Sequence, residues 1–170
     1  MKTQPYTRRE YIDGIPGSKV VKFTMASPGK EFNTTFRLIS LKAGQIRHNA
    51  LEAARIAANR YLELNLGIEN YVLKIVPYPH HVLREKKRLN VAQADRFQEG
   101  MRLAFGSPVG VAARVKRRKN ILKVKVMDED TKVAEEALRR ASHKLPIPSK
   151  IVISNPRTKH VHPGSEGAEV

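Results

Sequence analysis

The sequence contains no cysteine and no tryptophan. Without thiols there is no disulfide, no thiolate nucleophile and no cysteine-based zinc or iron–sulfur site, which fits a cytosolic protein. Acids are scarce too: 16 Asp plus Glu stand against 32 Lys plus Arg, a formal net charge of +16. An uninterrupted apolar run of about 18 residues, the length that crosses a bilayer as a helix, does not occur. The opening Met1-Lys2-Thr3-Gln4-Pro5-Tyr6 has no apolar stretch behind its charge and does not read as a signal peptide. A soluble, cytosolic chain with no membrane partner is expected.

What is present is enough for a core. Of 170 residues, 41% are hydrophobic, sufficient for one ordinary domain plus tails. A charge excess of this size repels itself and is relieved by a bound polyanion. Nucleic acid is the favoured polyanion, because each Lys or Arg set on a phosphate releases condensed counterions.

Periodicity gives the organisation. Residues 1–31 read as an extended N-terminal arm, broken by Pro5, Gly14, Pro16, Gly17, Pro28 and Gly29, with a short strand at 19–25. Alternation predicts a strand at 32–42, and after Gly44 a helix over 45–64, with Ile46, Ala50, Leu51, Ala54, Ala58 and Leu62 on one face and His48, Glu52, Arg55 and Asn59 on the other. Residues 71–76 form a buried strand closed by Pro77 and Pro79. Strands follow at 109–116 and 121–127, joined by Lys116-Arg117-Arg118-Lys119-Asn120 as a basic hairpin tip. Asp128-Glu129-Asp130-Thr131 opens a second helix, its acids serving capping and dipole, through about 144. Pro146 and Pro148 stop it, a last strand covers 150–154, and 155–170 is a polar tail. The expected fold is α+β: a single domain over 32–154, a mixed sheet with two helices on one face, and a long basic loop at 84–108.

The stretch 84–119 holds 11 Lys or Arg and 3 acids, half the charge excess of the whole chain. Glycines are interspersed and the acids do not alternate with the bases, which argues against a merely solvated face. No helix carries a basic face suited to a major groove, so structured RNA held by phosphate and shape is favoured over DNA.

Catalytic chemistry finds little footing. His80 and His81 point to opposite sides of an extended chain and cannot chelate one ion together, and His160 and His162 lie in the tail. There is no nucleotide-binding P-loop. Gly106-Ser107-Pro108-Val109-Gly110 has the outline of a nucleophile elbow but lacks the helix that must follow it. Asp128, Glu129 and Asp130 could serve a magnesium-dependent nuclease, yet a helix start explains them without further assumption. No cofactor is expected. His48 reads as a surface residue or a phosphate contact.

Several strings resemble one family. Ala50-Leu51-Glu52-Ala53-Ala54-Arg55-Ile56-Ala57-Ala58-Asn59-Arg60-Tyr61 is similar to the first helix of the universal large-subunit ribosomal protein called L-sixteen in bacteria and L-ten-e in archaea. Val76-Pro77-Tyr78-Pro79-His80-His81-Val82-Leu83-Arg84 resembles its next landmark. Ala94-Asp95-Arg96-Phe97-Gln98-Glu99-Gly100-Met101-Arg102-Leu103-Ala104-Phe105-Gly106-Ser107-Pro108 resembles its most distinctive segment, and Glu136-Ala137-Leu138-Arg139-Arg140-Ala141 its second helix. Four landmarks in order make the resemblance specific over roughly residues 6–154.

The resemblance implies a hammerhead-like α+β fold, no enzymatic activity, and a seat on large-subunit rRNA among neighbouring ribosomal proteins. It further implies that the long loop, about 84–102, points toward the peptidyl-transferase region and bound tRNA. The chain resembles the archaeal form, with the loop that bacteria shorten and without the long eukaryotic C-terminal extension. On that reading Arg84, Lys86, Lys87, Arg88, Arg96 and Arg102 neutralise phosphate in the loop's site, and Lys116, Arg117, Arg118 and Lys119 clamp a separate rRNA segment. The remaining alternatives are a free RNA-binding assembly protein and a small basic nuclease.

Overall fold

Along Thr34-Thr35-Phe36-Arg37-Leu38-Ile39-Ser40 apolar bulk falls on alternate residues, and in extended chain that period sends every second side chain to one face. The computed structural model, which describes residues 8–26, 30–86 and 105–154, makes a strand of this segment, with Thr34, Phe36, Leu38 and Ser40 buried and the residues between them half-buried. In chain order the elements are β1 (Thr24–Ala26), β2 (Thr34–Ser40), β3 (Gly44–Arg47), α1 (His48–Leu66), β4 (Val72–Ile75), β5 (His81–Glu85), β6 (Ser107–Val115), β7 (Asn120–Val126), α2 (Thr131–Ser142) and β8 (Ser149–Ser154). The α+β class is as expected.

The strands divide into two sheets in place of a single mixed one. Five strands pair in the order β1-β4-β7-β2-β8, and three pair in the order β3-β6-β5. Every pairing is antiparallel. The inner face of the five-stranded sheet presents Phe36, Leu38, Leu73, Ile75, Leu122 and Val124, all buried, to both helices. Each such side chain removed from water contributes about 1.5–3 kcal/mol before chain entropy is charged against it.

The helices reach the sheet closely because their buried stripes are built of small residues. Leu51, Ala54, Ala58 and Leu62 of α1, at helical spacing, and Ala134, Ala137, Leu138 and Ala141 of α2 are fully buried in the same cluster. Gly67, at φ 75°, ends α1 by donating its N–H to the Glu63 carbonyl at 3.0 Å. The expected start of α1 shifts, because Gly44–Arg47 forms β3 against β6 and Ile46 is buried from a strand.

The expected hairpin between β6 and β7 does not form. β6 lies between β3 and β5, while β7 is inserted between β4 and β2, so the intervening turn carries the chain from one sheet to the other. β7 alternates from Leu122 to Val126, whereas β6 is buried on both faces from Gly110 to Ala113; a strand's own pattern does not name its partner.

The stretch read as an arm is partly drawn into the body. β1 pairs with β4, Val20 joins the main core, and Ile12 packs with Val82 and Val111 in a second small cluster. Arg9 donates to the His80 carbonyl at 3.2 Å.

Candidate nucleic-acid interface

The turn from β6 to β7 is fastened at its backbone. Lys119 donates its N–H to the Lys116 carbonyl (3.3 Å), Arg118 donates to the Ser40 carbonyl (2.8 Å), and the Ser40 N–H donates to the Lys119 carbonyl (2.9 Å). Arg118 takes φ 62°, a left-handed conformation that costs a non-glycine residue about 1–2 kcal/mol. The reciprocal bonds to Ser40 hold it there. Lys116, Arg117, Arg118 and Lys119 are all exposed. They form a rigidly presented cationic knuckle at the junction of the two sheets. Beside it Arg117 and Lys42 flank an open cleft of about 640 Å³ floored by Leu41, Gly44, Ile147 and Pro148.

The second basic group sits where the chain leaves and re-enters the three-stranded sheet. Arg84 and Lys86 are exposed; Arg84 is opposite Pro108 and Glu85 opposite Ser107, with a register shift between Leu83 and Arg84. The Arg84 guanidinium lies 4.0 Å from the ring centroid of Phe105. A stacked guanidinium keeps its N–H edge for a phosphate while its flat face is covered. Lys87, Arg88, Arg96 and Arg102 lie outside the described residues.

A third basic group escaped sequence reasoning. Register places Lys74 opposite Lys123 and Lys123 opposite Arg37, on the face of the five-stranded sheet away from the helices, with Lys125 further along β7. Far apart in sequence, these residues meet only through strand pairing. Other cations are committed within the protein. Arg55 is held by Glu52 (Nε–Oε2 2.9 Å), and Arg139 and Arg140 share Glu136 at 2.7 and 2.9 Å. Those two arginines pull the Glu136 carboxyl down to about 2. Arg140 also lies 4.0 Å from the Tyr61 ring centroid, bridging α1 and α2.

Two expectations about chemistry are corrected. His48 is buried and not a surface contact: its Nδ1 accepts the Lys19 N–H at 2.9 Å. Burial, and then the charges of Lys19 and Arg47, push its imidazole below the ordinary histidine value. The acids at 128–130 do not cap α2 through their side chains. They form a short 3₁₀ turn; Asp130, at the cap position, makes no side-chain cap bond, and Asp128 accepts from the Thr34 hydroxyl. The 3₁₀ turn moves Asp128 off the helix end and over β2, within reach of that hydroxyl.

His81 is buried, with Gln45 Nε2 3.2 Å from its Nδ1, whereas His80 is half-exposed with its Nδ1 3.0 Å from the Tyr78 carbonyl. The two rings thus occupy different environments. Among the described residues no group of three or more His, Asp or Glu is placed to hold a metal ion. Ser107 and Gly110 both lie inside β6, so the strand–turn–helix of a nucleophile elbow does not occur there. No helix among the described residues is long and apolar enough to cross a membrane.

Comparison with known proteins agrees with the geometry. The family model described as ribosomal protein L16p/L10e matches residues 1–152. A large ribosomal subunit protein uL16 from Staphylothermus marinus is 55% identical over 148 residues, covering 87% of this chain and 85% of that protein. The protein of the same name from Hyperthermus butylicus is 52% identical over 147 residues (86% and 82%), and that from Archaeoglobus fulgidus 51% over 150 (88% and 86%). With a family match spanning most of the sequence, and archaeal relatives matched over most of both chains, the chain belongs to the ribosomal protein L16p/L10e family and is a structural ribosomal component, not an enzyme.

Proposed function

We propose that this protein is seated in the large subunit of the cytoplasmic ribosome through phosphate contacts to rRNA, and there helps organise the aminoacyl-tRNA site near the peptidyl-transferase centre. The observation that carries the rRNA reading is the knuckle at 116–119, four consecutive cations on a backbone locked to Ser40. With the backbone already fixed, only the side chains remain to be ordered when they meet phosphate, so more of their electrostatic gain survives as affinity. Arg84 and Lys86, with Lys87, Arg88, Arg96 and Arg102, form the group assigned to the tRNA-proximal site, and neighbouring ribosomal proteins complete the partners.

The test is binding of the full chain to large-subunit rRNA across a salt series. A variant carrying Lys116→Ala, Arg117→Ala, Arg118→Gly and Lys119→Ala keeps the turn conformation while removing its charge. The slope of log affinity against log salt should flatten by roughly 0.7–0.9 for each phosphate no longer neutralised. An unchanged slope would remove the knuckle from the interface. For the tRNA arm, crosslinks from a probe within 84–102 should reach tRNA in assembled subunits; crosslinks confined to rRNA would withdraw that part.

A further inference from the structure

We propose that the outer face of the five-stranded sheet is a third RNA surface, where Lys74, Lys123 and Arg37 form a row across three adjacent strands that receives the phosphate backbone of folded rRNA. The inference rests on the reading that the chain is rRNA-bound, and adds a surface on the opposite side of the sheet from the helices.

The row follows from register. Lys74 of β4 faces Lys123 of β7, and Lys123 faces Arg37 of β2. Strands in a sheet stand about 4.8 Å apart, so three positive side chains lie shoulder to shoulder. Lys125 extends the patch along β7, opposite Val72 and Thr35. The positions paired around them on this face are Thr24, Val72, Thr35 and Val152. None is acidic.

Such a row is unfavourable in the isolated fold. Like charges directly opposed on neighbouring strands destabilise the pairing. Among the described residues Arg37, Lys74, Lys123 and Lys125 have no ion-pair or hydrogen-bond partner, in contrast to Arg55, Arg139 and Arg140. Arg37 adds a sharper observation: its Nε is sealed from solvent and has no acceptor. A buried donor without a partner retains its desolvation penalty until an acceptor arrives. A phosphate over the row supplies the counter-charge, and it reaches the Arg37 Nε once that side chain turns outward.

The ordinary explanation for lysine on a sheet is protection of an exposed edge. It suits Lys150 on the edge strand β8, and it does not suit Lys123 or Arg37, whose strands are paired on both sides. The absence of an aromatic ring among these paired positions also selects the ligand's part. Only the Arg37 guanidinium offers a flat face to a base there, so the contact is chiefly to backbone and largely indifferent to sequence.

The test uses the full chain and large-subunit rRNA. A triple variant, Lys74→Thr, Lys123→Thr and Lys125→Thr, keeps strand-forming side chains and removes three charges. Its salt slope should fall by roughly 2, its affinity near 0.1 M salt should drop at least ten-fold, and its Tm should hold or rise once like charges are gone. A folded triple variant with wild-type affinity and slope would overturn the surface while leaving rRNA binding at the knuckle intact. Loss of binding by the wild-type chain would defeat the reading beneath it.

Should the triple variant not fold, acetylation of wild-type lysines, read by mass spectrometry, decides the matter. Naked rRNA should shield Lys74 and Lys123 from reagent. Full reactivity in that complex, or shielding seen only in the complete subunit, would overturn the assignment, the latter in favour of an acidic neighbouring protein.

Discussion

Arg84 and Phe105 meet across the ends of β5 and β6, guanidinium over ring at 4.0 Å from the centroid. With Phe105 about half exposed, the contact falls in the weaker range for cation–π pairs, about 0.5–1 kcal/mol. It holds together the two points where the chain departs from and rejoins the three-stranded sheet.

Phe105→Ala should therefore lower stability by about 0.5–1 kcal/mol and speed amide exchange at Arg84 and Glu85. Phe105→Leu restores apolar bulk without a quadrupole and should recover less than half of the loss. Full recovery by leucine would show the contact to be ordinary packing.

Gly106, next to that pair, has no room for a side chain. A Cβ there would stand 2.6 Å from the Glu85 carbonyl carbon and 2.8 Å from the Lys86 nitrogen, both backbone atoms. Gly106→Ala must move a strand and should cost about 1–3 kcal/mol, seen as a Tm several degrees lower. Gly44→Ala is the control: its nearest neighbour is the flexible tip of Ile147 at 2.9 Å, so the cost should be smaller. Equal losses at the two positions would contradict the steric account.

The histidines set a pH dependence. His48 accepts the Lys19 N–H at Nδ1, which requires that nitrogen unprotonated. Burial, with Lys19 and Arg47, holds its pKa below 6.5; burial, with Arg114, His80 and Arg84, does the same for His81. A lowered folded value means the unfolded chain binds more protons, so stability rises with pH. It should be complete above 6.5 and decline as pH falls below that toward the folded values. Denaturant melts between pH 7.5 and 5.5, above most carboxylate titration, will measure it. His48→Gln should flatten the curve; an unaltered curve would exclude His48 as a source.

Much of the fold was legible because the core writes its own period. The alternation of β2 and the α1 face of Leu51, Ala54, Ala58 and Leu62 needed no tertiary information. β3 was hidden because Gly44–Arg47 runs directly into α1 without a capping Ser, Thr, Asp or Asn, and Ile46 fits a helical spacing as well as an extended one. β5 was hidden by the prolines just before it, Pro77 and Pro79, and by the charge that follows.

The cationic knuckle was legible as a contiguous run, but not its attachment to Ser40, which depends on two sheets meeting. Residues 1–7, 27–29, 87–104 and 155–170, with four of the expected phosphate contacts, lie outside the described residues. His48 was misjudged because a helical wheel cannot know that the segment around Lys19 comes to lie against the first turn.

The order of strands in the larger sheet carries a consequence for biosynthesis. β2 has β7 on one side and β8 on the other, so Thr34 awaits Val126 and Thr35 awaits Ser154. A chain emerging from its amino end must therefore leave this strand, and the Arg37 it bears, without β7 until residue 126 and without β8 until residue 154. Pairings so distant in sequence form slowly. This protein closes its body late, with most of its positive charge already exposed to any polyanion nearby.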